Sequence, residues 1–359
     1  MKRGLDLKRR AALELFRMLL DDKIKEHRLR TLFWECTLRC NLACRHCGSD
    51  CKTAPVTRDM PLEDFLRVLD TITPHVEPHE VMIVFSGGEV LLRPDLERAG
   101  REVYERGYPW GMVTNGMLLD ARRFDGLLRA GLHSITLSLD GFEPQHNWMR
   151  GNPQSFERAV RALDSIAAEP SVAYDVVTCV TRRNVDTLAE FRDFLVSRGV
   201  KSWRIFTVFP AGRAADDPML QLSDEQFRSL MDFIETVRRE DRIDASYACE
   251  GFLGRCEGRV RDHLYYCSAG VSTASIRIDG SISGCTSIRS DFNQGNIYLD
   301  DFMDVWNNRF EEFRDRSWAK KGQCADCDMF RFCRGGGMHL RDGNRELMMC
   351  HYRRLTGIS

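Results

Sequence analysis

The sequence has almost no net charge and no long basic tract. Its 52 lysines and arginines are balanced by 53 aspartates and glutamates, which leaves a formal net charge of −1 at pH 7. Proteins that bind nucleic acids or anionic membranes by bulk electrostatics carry a clear excess of positive charge. The composition therefore predicts neither a nucleic-acid partner nor a membrane partner.

Long apolar runs are also missing. The first thirty residues, MKRGLDLKRRAALELFRMLLDDKIKEHRLR, are charged and helical in pattern, and their apolar runs are too short for a signal peptide or a membrane span. We therefore expect a cytoplasmic protein. With 43% hydrophobic residues, the chain can bury a large core.

Cysteine, in contrast, is abundant and clustered. Of fourteen cysteines, five lie at 36–51, four at 249–285 and four at 324–350. Because a reducing compartment disfavours structural disulfides, such clusters indicate metal ligands or catalytic thiols. Cys179, alone in an apolar run, and Cys36, in the first predicted strand, are interpreted as buried thiols.

Short apolar runs alternate with amphipathic helical stretches along the first two thirds of the chain. The runs are 31–36, 81–86, 111–115, 134–139, 174–180 and 203–209. The helical stretches are 61–72, 93–107, 120–131, 153–168, 185–199 and 223–240. This alternation predicts an α/β fold with a parallel sheet, either doubly wound or an incomplete barrel, whose site lies at the carboxyl ends of the strands.

Local signals mark some of the ends of these elements. Pro61 suits the first position of a helix, and Gly107 and Gly131 suit the position just after one. Ser223 and Gln226 form a capping-box pattern. We expect helix boundaries near all of these residues.

The pattern changes near residue 245, where cysteine, glycine and hairpin signals replace the helical period. SIRIDGSISGC (275–285) predicts a hairpin with a type I′ turn at Asp279-Gly280. We therefore divide the chain into an N-terminal helix within 1–30 that packs on the first domain, an α/β domain over 31–245 and a small cysteine-rich domain over 246–359.

The first cysteine cluster contains the spacing Cys40-x3-Cys44-x2-Cys47, just after the first predicted strand. Three thiolates can hold a [4Fe–4S] cluster and leave one iron open, as catalytic metal sites do. A zinc site would take a fourth ligand from His46 or Cys51. The spacing alone leaves both interpretations open.

The ends of the other strands favour the cluster. The second strand ends in the turn Gly87-Gly88-Glu89, the third in TNG (114–116), and the fourth in Ser138, followed by Asp140 and, later, Arg150. Paired glycines permit close backbone approach to a ligand. Together these groups suit an amino acid joined to a nucleoside better than bare zinc.

With its CX3CX2C loop and GGE turn, the chain resembles the radical S-adenosylmethionine (SAM) enzymes over about residues 30–245. The resemblance implies a partial (β/α)6 TIM-like barrel, cluster ligation by Cys40, Cys44 and Cys47, and SAM on the fourth iron. It further implies that the GGE turn holds the methionine amino group. Ser138 and Arg150 would contact the SAM carboxylate, and Asp140 would lie near the ribose.

The C-terminal cysteines resemble a SPASM domain, which carries auxiliary [4Fe–4S] clusters; zinc ribbons use similar cysteine pairs. The resemblance implies one complete cluster, with ligands Cys324, Cys327, Cys333 and Cys350. A second, first in chain order, would use Cys267 and Cys285. The family's remaining cysteine is replaced by Gly337, and His339 nearby is a further candidate ligand.

The upstream ligand of that first auxiliary cluster is open. Cys256 is our first choice and Cys249 the alternative. The cluster could have three thiolates and one exchangeable iron, be closed by Cys249, or be absent.

By resemblance, the protein is an oxygen-sensitive enzyme that cleaves SAM to a 5′-deoxyadenosyl radical, using an electron from reduced flavodoxin or ferredoxin. The radical would abstract hydrogen from a substrate, most often a peptide or protein side chain in SPASM enzymes, and the auxiliary clusters would accept an electron or anchor the substrate. A modifier of small molecules or tetrapyrrole side chains is the alternative enzyme. A non-catalytic iron–sulfur or zinc protein is the alternative of another class, but it would not need a SAM pocket.

Overall fold

The computed structural model describes residues 7–49, 51, 53–215, 217–248, 250–289 and 291–357. Its strands are β1 (Thr31–Thr37), β2 (Met82–Gly87), β3 (Trp110–Thr114), β4 (Leu132–Ser138), β5 (Ala173–Val180), β6 (Ser202–Thr207), β7 (Asp244–Tyr247), β8 (Thr273–Ile276), β9 (Ser281–Ser283) and β10 (Gly295–Asn296). Its helices are α1 (Leu7–Glu26), α2 (Leu62–Ile72), α3 (Leu96–Glu105), α4 (Ala121–Arg129), α5 (Glu143–Arg150), α6 (Ser155–Ala167), α7 (Leu188–Ser197), α8 (Asp224–Glu240), α9 (Phe302–Asn308), α10 (Glu311–Arg314), α11 (Phe330–Cys333) and α12 (His351–Thr356).

The strands form one sheet in the order β10-β9-β8-β1-β2-β3-β4-β5-β6-β7. From β1 to β7 neighbouring strands are parallel and follow chain order, as in a partial barrel. The predicted α/β class and parallel sheet are confirmed. All carboxyl ends of these strands meet at one edge, where the predicted site residues lie.

A seventh parallel strand, β7, follows α8 and is absent from the sequence prediction. Its four residues, DASY, include no apolar run, and β7 is recognised only because Ser202 of β6 pairs with Asp244 and the following residues continue the register. The boundary predicted at residue 245 falls inside this strand. The division of the chain into domains stays a prediction.

The predicted hairpin is confirmed, but it joins the barrel sheet. Strand β8 pairs parallel with β1, from Thr31 opposite Thr273 to Trp34 opposite Ile276, and antiparallel with β9. The hairpin thus covers the edge of β1, which would otherwise expose unpaired backbone groups. The sequence pattern does not predict that β8 pairs with β1, because the two strands are far apart along the chain.

The turn type predicted for the hairpin is wrong. A type I′ turn needs positive φ at both central residues. Gly280 has φ +84°, but Asp279 does not have a positive φ, and Arg277 N–H donates to Ser281 O at 2.9 Å. The loop is therefore the three-residue kind that closes with a left-handed glycine.

Most predicted helix ends are confirmed. Ser223 and Gln226 form the capping box of α8. Gly107 and Gly131 follow α3 and α4 with φ +85° and +83°. Pro61 precedes α2 as its N-cap instead of being its first residue.

The first helix packs on the cysteine-rich part of the chain, whereas the sequence pattern predicts that it packs on the first domain. Leu13 shares an apolar cluster with Phe252, Tyr265, Met329 and Phe332. Asp21 pairs with Arg334 at 2.9 Å, next to Cys333. Leu13 of α1 is buried against apolar and aromatic side chains of the cysteine-rich part, and this burial stabilises the helix at that place.

No helix in the described part of the chain combines the length and the apolar character needed to cross a membrane.

Candidate active site

The three cysteines of the predicted cluster loop are brought together after β1. Cys40 and Cys44 are buried in one small apolar cluster with Leu42 and Cys51, and Cys47 packs against it. Burial raises the pKa of the Cys40 thiol to about 11. Because metals bind the thiolate, iron binding here must displace a proton.

Cys51 lies closer to this group than the sequence indicated. Its thiol donates a hydrogen bond that lowers the pKa of Cys47. Arg213 holds the loop from the other side, donating from its backbone to Cys47 O at 3.2 Å and from its side chain to Cys51 O at 3.3 Å. No sequence signal marked Arg213, because it reaches the loop only in the folded chain.

The GGE turn lies directly on the cluster loop. Gly88 N–H donates to Thr37 O at 2.7 Å, and Glu89 N–H donates to Arg39 O at 2.8 Å. A Cβ built on Gly87 would lie 2.0 Å from Thr37 O, and one on Gly88 2.1 Å from Arg39 O. Both positions must therefore be glycine for the loop to approach.

The Glu89 side chain ties the ends of β2 and β3 together. Its carboxylate accepts hydrogen bonds from Asn115 N–H at 2.8 Å, Thr114 Oγ1 at 2.7 Å and Leu91 N–H at 3.2 Å. Burial raises its pKa. Asn115 in turn donates to Asn41 Oδ1 at 2.9 Å, which links the TNG segment to the cluster loop.

Asp140 and Arg150 form a buried ion pair beside the loop. Arg150 Nε lies 2.7 Å from Asp140 Oδ2, and Arg150 Nη1 lies 3.7 Å from Cys44 Sγ. Burial alone would raise the pKa of Asp140, but Arg150, the neighbouring imidazoles and the hydrogen bond from Cys179 N–H together outweigh burial, and the pKa lies below its usual value. Arg150 thus faces a predicted cluster ligand. Ser138, at the end of β4, is half-buried.

One further group of side chains in the described part of the chain has the donor atoms that a metal ion would need, although the sequence did not predict a metal site there. His46, Asp140 and Cys179 offer ligand atoms within 4.8 Å of one another. However, Asp140 already accepts from Arg150 and from Cys179 N–H at 2.9 Å. A cation here would meet the Arg150 guanidinium, so we interpret the group as the polar wall of the site.

The four cysteines assigned to the complete auxiliary cluster are brought together. Cys324, Cys327, Cys333 and Cys350 line one cavity. Arg341 donates a hydrogen bond to the Cys324 thiol. The donor set fits a [4Fe–4S] cluster.

Two buried guanidinium nitrogens support anionic groups at this end of the molecule. Nη1 of Arg316 and Nη1 of Arg334 have no hydrogen-bond partner within the described residues. Arg334 follows Cys333 in the chain. Arg316 lines a cavity with Cys267 and Cys333. Arg334 already pairs with Asp21. The Arg316 side chain is buried, and a buried charge needs a counter-charge, which a thiolate-bound cluster would supply.

The remaining cysteines are placed unequally. Cys267 lies close enough to Cys285 for its charge to raise the pKa of the Cys285 thiol, so this predicted pair is brought together. Cys256 instead faces Asp232 and Glu235 of α8. Cys249 lies outside the described residues. Cys36 is fully buried, and burial raises its pKa to about 12.

Comparisons with known proteins agree with this arrangement. The radical SAM superfamily matches residues 34–195, and the SPASM iron–sulfur cluster-binding domain matches residues 267–328. The mycofactocin maturase MftC of Mycobacterium tuberculosis is 32% identical over 314 residues, which are 86% of this chain and 78% of the relative. The chain belongs to the radical SAM superfamily.

Two further comparisons show how varied the similar radical SAM proteins are. The AdoMet-dependent heme synthase of Nitratidesulfovibrio vulgaris is 24% identical over 353 residues, 91% of this chain and 94% of the relative. The structure of Streptococcus suis SuiB bound to its precursor peptide SuiA matches with TM-score 0.69 at 16% identity, covering 91% of this chain and 77% of that one. The second likeness is one of fold. Membership in the superfamily, with a SPASM domain, implies iron–sulfur clusters and SAM binding.

Proposed function

We propose that this radical SAM enzyme modifies a peptide or protein side chain. The observation that carries the proposal is the 32% identity with a maturase over 86% of the chain. The heme synthase relatives are 24% identical, and they support the second candidate, a modifier of tetrapyrrole side chains or other small molecules. The cytoplasmic location stays a prediction.

We propose roles for the site residues that are supported by their positions. Cys40, Cys44 and Cys47 would hold the cluster. Gly87, Gly88, Glu89 and Ser138 would lie around SAM. Arg150, fixed by Asp140, would place a positive charge next to the Cys44 thiolate. When bound, the cluster and SAM supply the radical chemistry, and the protein supplies orientation and the exclusion of solvent.

The electron balance of the proposed reaction needs one external donor. A reduced flavodoxin or ferredoxin would give one electron to the cluster held by Cys40, Cys44 and Cys47. With SAM bound, that group would supply the radical that takes a hydrogen atom from the substrate, and methionine and 5′-deoxyadenosine would be released. We propose two auxiliary clusters, which accept an electron from the substrate radical or anchor the substrate.

The test is anaerobic incubation of the reduced, iron-loaded protein with SAM, with 5′-deoxyadenosine measured by mass spectrometry. We expect 5′-deoxyadenosine from the unsubstituted protein and none from the Cys40/Cys44/Cys47→Ala variant. No product from protein with an intact cluster contradicts the radical SAM activity.

Substrate class is tested by isotope transfer. Deuterated short peptides encoded by neighbouring genes and a deuterated iron porphyrin are supplied separately, and deuterium in 5′-deoxyadenosine is measured. Transfer from a peptide supports the proposal. Transfer only from the porphyrin contradicts it in favour of the second candidate.

A further inference from the structure

Position 337 is where the SPASM pattern has a cysteine and this chain has glycine. A Cβ built on Gly337 would lie 2.6 Å from Cε1 and 2.9 Å from Nδ1 of His339. A cysteine there would displace the imidazole, because packed side chains do not tolerate such overlap. The His339 ring therefore fills the space that the missing cysteine side chain would need.

The His339 imidazole lies between the barrel and the cysteine-rich part of the chain. Phe209, two residues beyond the end of β6, packs on it with ring centroids 5.1 Å apart. The carbonyl of Glu250 would lie 3.0 Å from a Cβ at Gly337. The segment around residue 337 is thus in contact with both Phe209 and Glu250.

Arg316 connects His339 to the first auxiliary pair. Its charge acts on the His339 imidazole, and its Nη2 donates to Gly336 O at 3.4 Å. The same arginine lines a cavity with Cys267, and the charge of Cys267 raises the pKa of Cys285. The buried Arg316 therefore lies near both Cys267 and the imidazole.

The imidazole is also in the form that binds metals. Burial lowers the pKa of His339 to about 4, so the ring is neutral at neutral pH. Within the part of the chain that the structure describes, neither ring nitrogen makes a hydrogen bond. A ring nitrogen is thus available to a ligand.

We propose that His339 is a ligand of the first auxiliary cluster, together with Cys267 and Cys285, in place of the cysteine missing at Gly337. Histidine replaces cysteine on one iron in Rieske centres, where it raises the reduction potential. The inference rests on the first auxiliary cluster of the proposed function, and it does not depend on the class of substrate.

The test uses pulsed electron paramagnetic resonance on the dithionite-reduced Cys40/Cys44/Cys47→Ala variant, which keeps only auxiliary clusters. The protein is produced with natural-abundance histidine and with histidine labelled with ¹⁵N in the imidazole. We expect an imidazole nitrogen coupling that changes with the label. It should disappear in His339→Ala and persist in His133→Ala, a control at an exposed histidine.

A rescue variant covers the case in which His339→Ala loses its cluster. Gly337→Cys combined with His339→Ala restores a thiolate at the family position, and we expect it to regain the iron without the nitrogen coupling. The proposal is overturned if no coupling responds to the label, if the coupling survives His339→Ala, or if the auxiliary-only protein holds about four irons instead of about eight. None of these readouts uses SAM cleavage, so a failure here is distinct from a failure of the proposed enzymatic activity.

Discussion

At Gly87 and Gly88, the absence of a Cβ atom allows the cluster loop to pack against the GGE turn. The resemblance assigned these glycines to SAM binding, and that role stays a prediction. The structure adds a second role, because the carbonyls of Thr37 and Arg39 occupy the space of both Cβ atoms. The glycines are thus needed for the loop before any ligand binds.

We predict that Gly88→Ala removes the cluster held by Cys40, Cys44 and Cys47. The added methyl group, 2.1 Å from Arg39 O, must push the loop away. Iron content should fall by about four atoms per chain. Gly48→Ala is the matched control, because a Cβ at Gly48 meets nothing within 4 Å. Full iron content in Gly88→Ala would disprove the packing argument.

His146 is a buried titratable group behind the site. Its Nδ1 accepts from Asp140 N–H at 3.0 Å, and burial lowers its pKa to about 3. In the unfolded chain its pKa is about 6.5. Between these two values the unfolded state binds more protons, so this group makes the free energy of unfolding fall as the pH falls.

We expect His146 to account for a loss of about 1.4 kcal/mol in the free energy of unfolding between about pH 7.5 and about pH 5.5. His146→Asn keeps an acceptor near the position of Nδ1 and should flatten the pH dependence by that amount. Denaturant unfolding at several pH values is the measurement. His133→Asn, at an exposed position, should leave the dependence unchanged; an unchanged slope in His146→Asn would count against the assignment.

At the scale of elements, α1 is tied to the cysteine-rich part of the chain. Leu13 is 2% exposed and packs near Met329 and Phe332, which flank the lining of the complete auxiliary site. Leu15, on the same helix, is 60% exposed. The helix therefore stabilises the auxiliary site through one face.

Leu13→Ala should lower the free energy of unfolding by about 2–5 kcal/mol, because it leaves a cavity in this apolar cluster. Leu15→Ala should change it by no more than about 0.5 kcal/mol. Anaerobic denaturant unfolding compares the two. Equal effects would mean that α1 does not pack as described.

At the scale of the whole molecule, the hairpin and the barrel share one sheet. Strand β8 extends the parallel sheet at β1, directly before the cluster loop. The loop that holds Cys40, Cys44 and Cys47 thus begins at a strand supported on both edges. The auxiliary cysteines are anchored to the same sheet through Cys285, two residues after β9.

The number of clusters is a property of the whole chain. Anaerobically reconstituted Cys40/Cys44/Cys47→Ala protein should contain about eight irons, from two auxiliary clusters. About four irons would show that only the site of Cys324, Cys327, Cys333 and Cys350 is occupied.

The Cys256→Ala variant tests whether Cys256 is the upstream ligand of the first auxiliary cluster. Because Cys256 is buried beside Asp232 and Glu235 of α8, we expect this variant to keep its full iron content. A loss of about four irons would restore Cys256 as the ligand that the sequence favoured.

The sequence by itself determined the α/β class, six of the seven strands β1–β7 and the cysteine spacings, because apolar periodicity and ligand spacing are local properties of the chain. It also predicted that the strand ends share one edge, which follows from parallel pairing. The tertiary structure alone decided that β8 joins β1, that α1 packs on the cysteine-rich part and that Arg150 faces Cys44. It alone placed Cys256 beside α8 and the His339 ring in the space of a cysteine at position 337. Each of these depends on contacts between residues far apart in the chain, which no local pattern encodes.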